Sequence, residues 1–264
     1  GGVVPLAGLG TMSEAKMIKL FVFAASTLRA TTLTTRASTA GLVISLVVML
    51  TACGGSAQQT RASLGFGYQS LKPGTYVLDL LARSKEPGQA PSPVQVPKIE
   101  ITLPAGWFNY KGRFVVKGHG LPHRTGVSFW DVAQVYPTPC QWKGKAMVDP
   151  GRSVDGLVAA LLQQPLRNAT TPTDVALAGL HGKYLQWSVP TNINFQHCDE
   201  GYFESWTAQG WASDRYQQKP GQVDRLWILN MHGQRFVVDA WYLPEASSQD
   251  RAELERVVKS IRFR

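Results

Sequence analysis

Three hydrophobic patterns succeed one another along the chain, and each predicts a different kind of element. The first is an unbroken apolar run, Gly41-Leu42-Val43-Ile44-Ser45-Leu46-Val47-Val48-Met49, which stops at Leu50-Thr51-Ala52-Cys53 and gives way to Gly54-Gly55-Ser56. It is short for a membrane-spanning helix and has the length of a signal-peptide core. The second pattern is alternation with period two. Lys98-Ile99-Glu100-Ile101-Thr102-Leu103 is the clearest case and reads as a half-buried strand. Similar segments occur at 75–81, 113–117, 127–132, 174–177, 184–189, 225–229 and 235–241. The last two flank Asn230-Met231-His232-Gly233-Gln234, a strong hairpin signal.

The third pattern has helical period. Val154, Leu157, Val158, Leu161 and Leu162 fall on one face, with Ser153 as N-cap and Asp155 in the first turn, where the helix dipole favours an acid. Leu254, Val257, Val258 and Ile261 form a second stripe over 247–261, where Ser247 and Asp250 have the spacing of a capping box. Many strands and two helices, one of them C-terminal, predict an α+β fold: an antiparallel sheet covered by helices, preceded by a signal peptide. The expected organisation is a leader over 1–52, a flexible tether over 53–70 and a single domain over 71–264. Turns are expected at Pro104-Ala105-Gly106-Trp107, presenting an aromatic, and at Gly179-Leu180-His181-Gly182.

The apolar run ends in a lipobox: an aliphatic residue, two small ones and a cysteine. Arg29 and Arg36 supply the positive flank upstream, and the Gly/Ser/Gln stretch after Cys53 reads as a tether. The expectation is a thioether-linked diacylglyceryl group on Cys53, cleavage before it, and a folded part on the extracytoplasmic face of a cell membrane. Two or three acyl chains anchor stably because each buried methylene contributes ~0.8 kcal/mol. The remaining cysteines, Cys140 and Cys198, form an even pair in an oxidising compartment and read as one disulfide.

Charge refines this picture. The formal net charge of +9 comes from scattered basic residues, which suits an anionic envelope surface and lacks the clustering of a nucleic-acid module. Chemistry is sparse. His119 and His123 have metal-like spacing, but Gly118, Gly120 and Pro122 forbid the helix that would align them, so no metal or cofactor is expected. No activated Ser or Cys turn and no phosphate-binding glycine loop is present. Asp199, Glu200 and Glu204 are a carboxylate cluster that could serve acid–base chemistry on a glycan. Trp206, Trp211, Tyr216 and Trp241 are the candidate ligand-binding aromatics. The expected function is a non-enzymatic module binding a small ligand or an envelope protein, with a cell-envelope hydrolase as the alternative.

Leu103-Pro104-Ala105-Gly106-Trp107, the loop around Cys140, the segment Pro220–Leu229 and the ending Val257–Phe263 resemble a group of secreted or membrane-attached domains of high-GC Gram-positive bacteria. The strand-turn and the C-terminal helix with its Ser-Ile ending also look like PsbP/Mog1-type α/β sandwiches. That resemblance implies a fold and carries no function.

Overall fold

The computed structural model describes residues 62–65, 67–78, 80, 98–208 and 214–264. The lipobox with Cys53, and Trp211, lie outside the described residues. In chain order the strands are β1 (Ala62–Leu64), β2 (Tyr68–Ser70), β3 (Gly74–Leu78), β4 (Ile99–Leu103), β5 (Trp107–Tyr110), β6 (Phe114–Lys117), β7 (Thr125–Trp130) and β8 (Val132–Val135). Helix α1 (Val154–Leu162) follows, then β9 (Thr173–Leu177), β10 (Leu180–Ser188), β11 (Phe203–Ala208), β12 (Arg215–Gln217), β13 (Val223–Met231) and β14 (Gln234–Tyr242). Helix α2 (Ser248–Lys259) and β15 (Arg262–Phe263) end the chain. The fold is α+β.

Strands pair into an eight-stranded sheet of order β2-β5-β6-β7-β14-β13-β10-β9, a four-stranded sheet β1-β3-β4-β15 and a three-stranded sheet β12-β11-β8. Pairing is antiparallel except for β1 with β3. The centre is the β13–β14 hairpin, nine residues on each side. Its turn is His232-Gly233 with φ of 53° and 83°, the doubly positive geometry that matches strand twist, and Gly233 N donates to Asn230 Oδ1 at 2.8 Å.

The large sheet has two buried faces, separated by the strand alternation. On the first, Val127, Phe129, Trp227, Leu229, Phe236, Val238 and Ala240 meet the four-stranded sheet and the α2 stripe of Leu254, Val257 and Val258. On the second, Trp130, Leu185, Trp187, Leu226, Ile228 and Val237 meet α1 and the three-stranded sheet. Both helices start as their sequences predict. Ser153 Oγ accepts from Gly156 N, and Ser247 with Asp250 closes a reciprocal capping box.

Three expectations change. β1 and β2 fall within the segment read as tether, and they pair with β3 and β5, so among the described residues paired strands begin at Ala62. Trp107 is not presented by its turn: it opens β5, is 1% exposed, and its Nε1 donates to Glu253 Oε1 at 2.9 Å, locking α2 to the sheet. The turn before β10 is made by Ala178 and Gly179, so His181 and Gly182 belong to the strand. Gly182 has no alternative there, because a Cβ would lie 2.0 Å from the Ile228 carbonyl oxygen on β13.

Candidate functional site

Asp199, Glu200, Glu204 and Tyr216, all singled out in the sequence, lie where β11 and β12 meet the loop around Cys140. Cys140 and Cys198 form a disulfide, with Cα atoms 4.4 Å apart. Backbone bonds lace the same junction: Glu204 N to Pro139 O at 2.7 Å, Asp199 N to Cys140 O at 2.8 Å and Tyr136 N to Ser205 O at 3.1 Å. The pairing of β11 with β12 is irregular between Glu204 and Trp206, which breaks strict alternation along the strand.

The three carboxylates have different environments. Asp199 Oδ2 accepts from Lys143 N at 2.7 Å, and Glu200 Oε1 lies 2.9 Å from Lys143 Nζ, so both hold the Lys143 loop. Glu204 is 6% exposed and its Oε2 has no hydrogen-bond partner among the described residues. Burial, reinforced by the charge of Asp214, pushes its carboxyl up to about 8, so it keeps its proton at neutral pH. Asp214 itself accepts from the Tyr136 hydroxyl at 2.7 Å. Burial first, and that hydrogen bond second, hold the Tyr136 phenol well above its usual range. The corner therefore contains a neutral buried acid, Glu204, able to donate one proton or one hydrogen bond.

The aromatics separate cleanly by burial. Trp206 is fully buried, stacked on Trp187 at 5.9 Å and edge-on to Trp130 at 5.8 Å. Trp241 is 3% exposed and covers Gly126, where an added Cβ would lie 2.6 Å from its ring. Neither indole offers a surface to a ligand, which corrects their placement among the binding aromatics; both are packing residues. Tyr216 does reach solvent at 43% exposure and meets Tyr202 edge-on at 5.1 Å.

Behind this corner lies a buried ionic network that the sequence did not announce. Arg215, 4% exposed, donates through Nε to Asp239 Oδ2 at 2.7 Å, through Nη2 to Asp224 Oδ1, and through Nη1 to Tyr216 O at 2.6 Å. Asp239 also accepts from Ser128 Oγ at 3.1 Å, and Asp224 from Gln222 Nε2 at 2.9 Å. Arg167 lies over Trp187 and Phe203, 4.2 and 4.6 Å from the ring centroids, and donates to Ser205 Oγ at 2.6 Å and Gln217 Oε1 at 2.9 Å. A signal was available: Asp224 shares the apolar phase of β13 with Leu226 and Ile228, an acid where alternation demands a core residue.

Elsewhere, a shallow cleft of about 490 Å³ opens between the start of α1 and β9–β10, lined in part by Asp155, Asp174, His181 and Lys183. Lys183 Nζ is 2.7 Å from Asp174 Oδ1 there. Among the described residues no three His, Cys, Asp or Glu side chains are placed to hold a metal ion, and no helix is long and apolar enough to cross a membrane.

No family model matches the chain, and no curated protein matches it. Among solved structures it is similar to the solution structure of cyanobacterial PsbP (CyanoP) from Synechocystis sp. PCC 6803, at 12% identity over 81% of this chain and 99% of that one, with a TM-score of 0.28. A likeness of that size carries no argument about activity, partner or residue roles.

Proposed function

We propose that the protein is an extracytoplasmic lipoprotein, anchored to a cell membrane through Cys53, whose folded part is a non-enzymatic module that binds a small ligand or an envelope protein. The anchoring rests on the Leu50–Cys53 lipobox with its charged and apolar lead-in. The Cys140–Cys198 disulfide fits an exported, oxidising location. The observation that carries the non-enzymatic part is the engagement of Asp199 and Glu200 by Lys143, which ties both carboxylates to its loop. Tyr216, exposed and backed by Tyr202, is an aromatic of this corner that a ligand can reach.

Two measurements test it. Intact-mass analysis of native material should find cleavage before Cys53 and a diacylglyceryl adduct, and Cys53→Ala should abolish both; an unmodified thiol on an uncleaved chain removes the anchor. For the binding module, native mass spectrometry of gently extracted protein should show a co-purified ligand or partner, with occupancy reduced about tenfold in Tyr216→Ala. The hydrolase alternative draws support from one feature, the protonated Glu204 beside Asp214. It predicts turnover of an envelope glycan lost in Glu204→Gln, whereas the binding reading predicts no turnover by either form.

A further inference from the structure

β9 stands at one end of the large sheet and pairs on one side only, with β10. The register shows which of its backbone groups are left over. The turn is Ala178-Gly179, with φ of 50° and 86°, so Leu177 and Leu180 close a two-residue hairpin as a hydrogen-bonded pair. Alternation makes Val175 with Gly182, and Thr173 with Tyr184, the next bonded pairs. Asp174 and Ala176 therefore turn their N–H and C=O away from β10, and among the described residues no hydrogen bond reaches those groups. The edge is exposed at its side chains too: that of Asp174 is 90% exposed, and Ala176 is exposed. Asp174, Ala176, His181 and Lys183 share the second face of the sheet, since Val175 and Leu177 belong to the first. There they border the cleft of about 490 Å³, which Val154 and Asp155 line from the start of α1. Lys183 Nζ answers Asp174 at 2.7 Å, whereas the Asp155 carboxylate has no ion pair or hydrogen bond among the described residues.

We infer that the β9 edge is a docking strand for an extended peptide segment of a partner protein, which places a lysine or arginine side chain in the cleft. Three observations choose that occupant. The outward N–H and C=O groups of Asp174 and Ala176 are the half-ladder that an added strand completes, and such main-chain bonds supply affinity without regard to sequence. Thr173–Leu177 has no proline, lysine or bulge to blunt it, the devices by which edges are usually closed to pairing. Finally, a residue of the added strand opposite Ala176 stands on the second face, beside the cleft, and the Ala176 methyl leaves room for a long side chain. Asp155 waits there as the unmatched charge, complementary to an ammonium or guanidinium group. The site shares no lining residue with the Tyr216 corner and depends on neither the lipid anchor nor binding at that corner.

Residue-resolved hydrogen exchange of the full-length protein in detergent tests this. The probe is a capped hexapeptide of alternating threonine and valine with one threonine replaced by lysine. A second peptide carries glutamate in place of the lysine. At saturating lysine peptide the Asp174 and Ala176 amides should exchange at least about tenfold more slowly. The glutamate peptide should bind about tenfold more weakly by calorimetric titration, the size expected for one reversed charge beside a carboxylate. Ala176→Pro removes an outward N–H that the ladder does not use, so the variant should fold and lose the peptide. Asp155→Asn should still bind and lose the preference for lysine. Unchanged exchange at Asp174 and Ala176 with millimolar peptide overturns the docking strand. Equal affinity for the two peptides, or an undiminished preference in Asp155→Asn, overturns the basic side chain as its occupant. Protection of the two amides without peptide, rising with protein concentration, would mean that a second copy closes the edge, and overturns the peptide partner.

Discussion

The two halves of the second sheet face are built from similar side chains to opposite ends. The half over β10, β13 and β14 holds Trp130, Trp187 and Trp206 in contact, roofed by α1 and the three-stranded sheet, with Arg215, Asp224 and Asp239 sealed at its margin. The half over β2, β5 and β6 holds Tyr68, Phe108, Tyr110 and Phe114, of which Phe114 packs edge-on to Trp130 while Tyr68 is 53% exposed. An aromatic row is therefore neither core nor binding surface by composition; what lies above it decides. The charges follow the same division. Under the roof they are paired and desolvated, where removing one partner is expensive; in the other half Lys111 Nζ lies 5.9 and 6.0 Å from the Tyr68 and Tyr110 ring centroids.

The largest effect should come from breaking the roofed half at its ionic margin. Arg215→Ala leaves Asp224 and Asp239 facing each other without their shared cation, at a cost of about 3–5 kcal/mol in urea-unfolding stability. Replacing all three charges together with neutral residues of similar volume should recover most of that loss. Recovery would show that the network specifies the junction of β12 with the large sheet more than it stabilises it. A triple variant as unstable as Arg215→Ala would refute that reading.

The disulfide comes next. Cys140 and Cys198 close a loop with a sequence separation of 58, and together they pin the segment that carries Asp199, Glu200 and Glu204 to the roof. Replacing both by Ser should lower stability by about 2–4 kcal/mol, read from urea midpoints.

Much of this architecture was legible along the chain because its determinants are local. Both helices were marked by their caps and stripes, and the central hairpin by two long strands around a glycine turn. The cysteine pair needed only an even count and an exported setting. What failed needed non-local information. The roles of Trp206 and Trp241 depend on α1, Trp187 and Gly126, none adjacent in sequence. β1 and β2 are three residues each and gain their identity only from β3 and β5. Arg215 meets acids on two other strands, so no motif spacing could declare it.

A pH dependence sharpens the comparison at Glu204. Its folded-state value of about 8 stands above the ordinary 4.5, so the folded protein keeps a proton that the unfolded chain releases. The contribution of this group to stability is thus complete below about pH 4.5 and is lost as pH rises toward 8. Glu204→Gln, which mimics the neutral acid, should leave stability unchanged near pH 4.5 and raise it by about 1–2 kcal/mol at pH 8. Urea midpoints of the two proteins at both pH values check the sign; a variant destabilised at pH 8 would mean that the ionised carboxylate has a partner in the folded state.

The smallest effect belongs to the other half. Tyr68 keeps 53% of its surface in water and meets Tyr110 edge-on at 4.8 Å. Tyr68→Ser should therefore cost only about 0.5–1 kcal/mol, the size of one aromatic pair with modest burial. Trp206→Ala, under the roof, should cost about 3–5 kcal/mol. The contrast matters more than either value. A small loss at Tyr68 beside a large one at Trp206 would show that burial, and not the presence of a ring, sets the cost. If Tyr68→Ser instead destabilises the protein as much as Trp206→Ala, the row is an extension of the core, and the difference between the two halves of the sheet is one of degree.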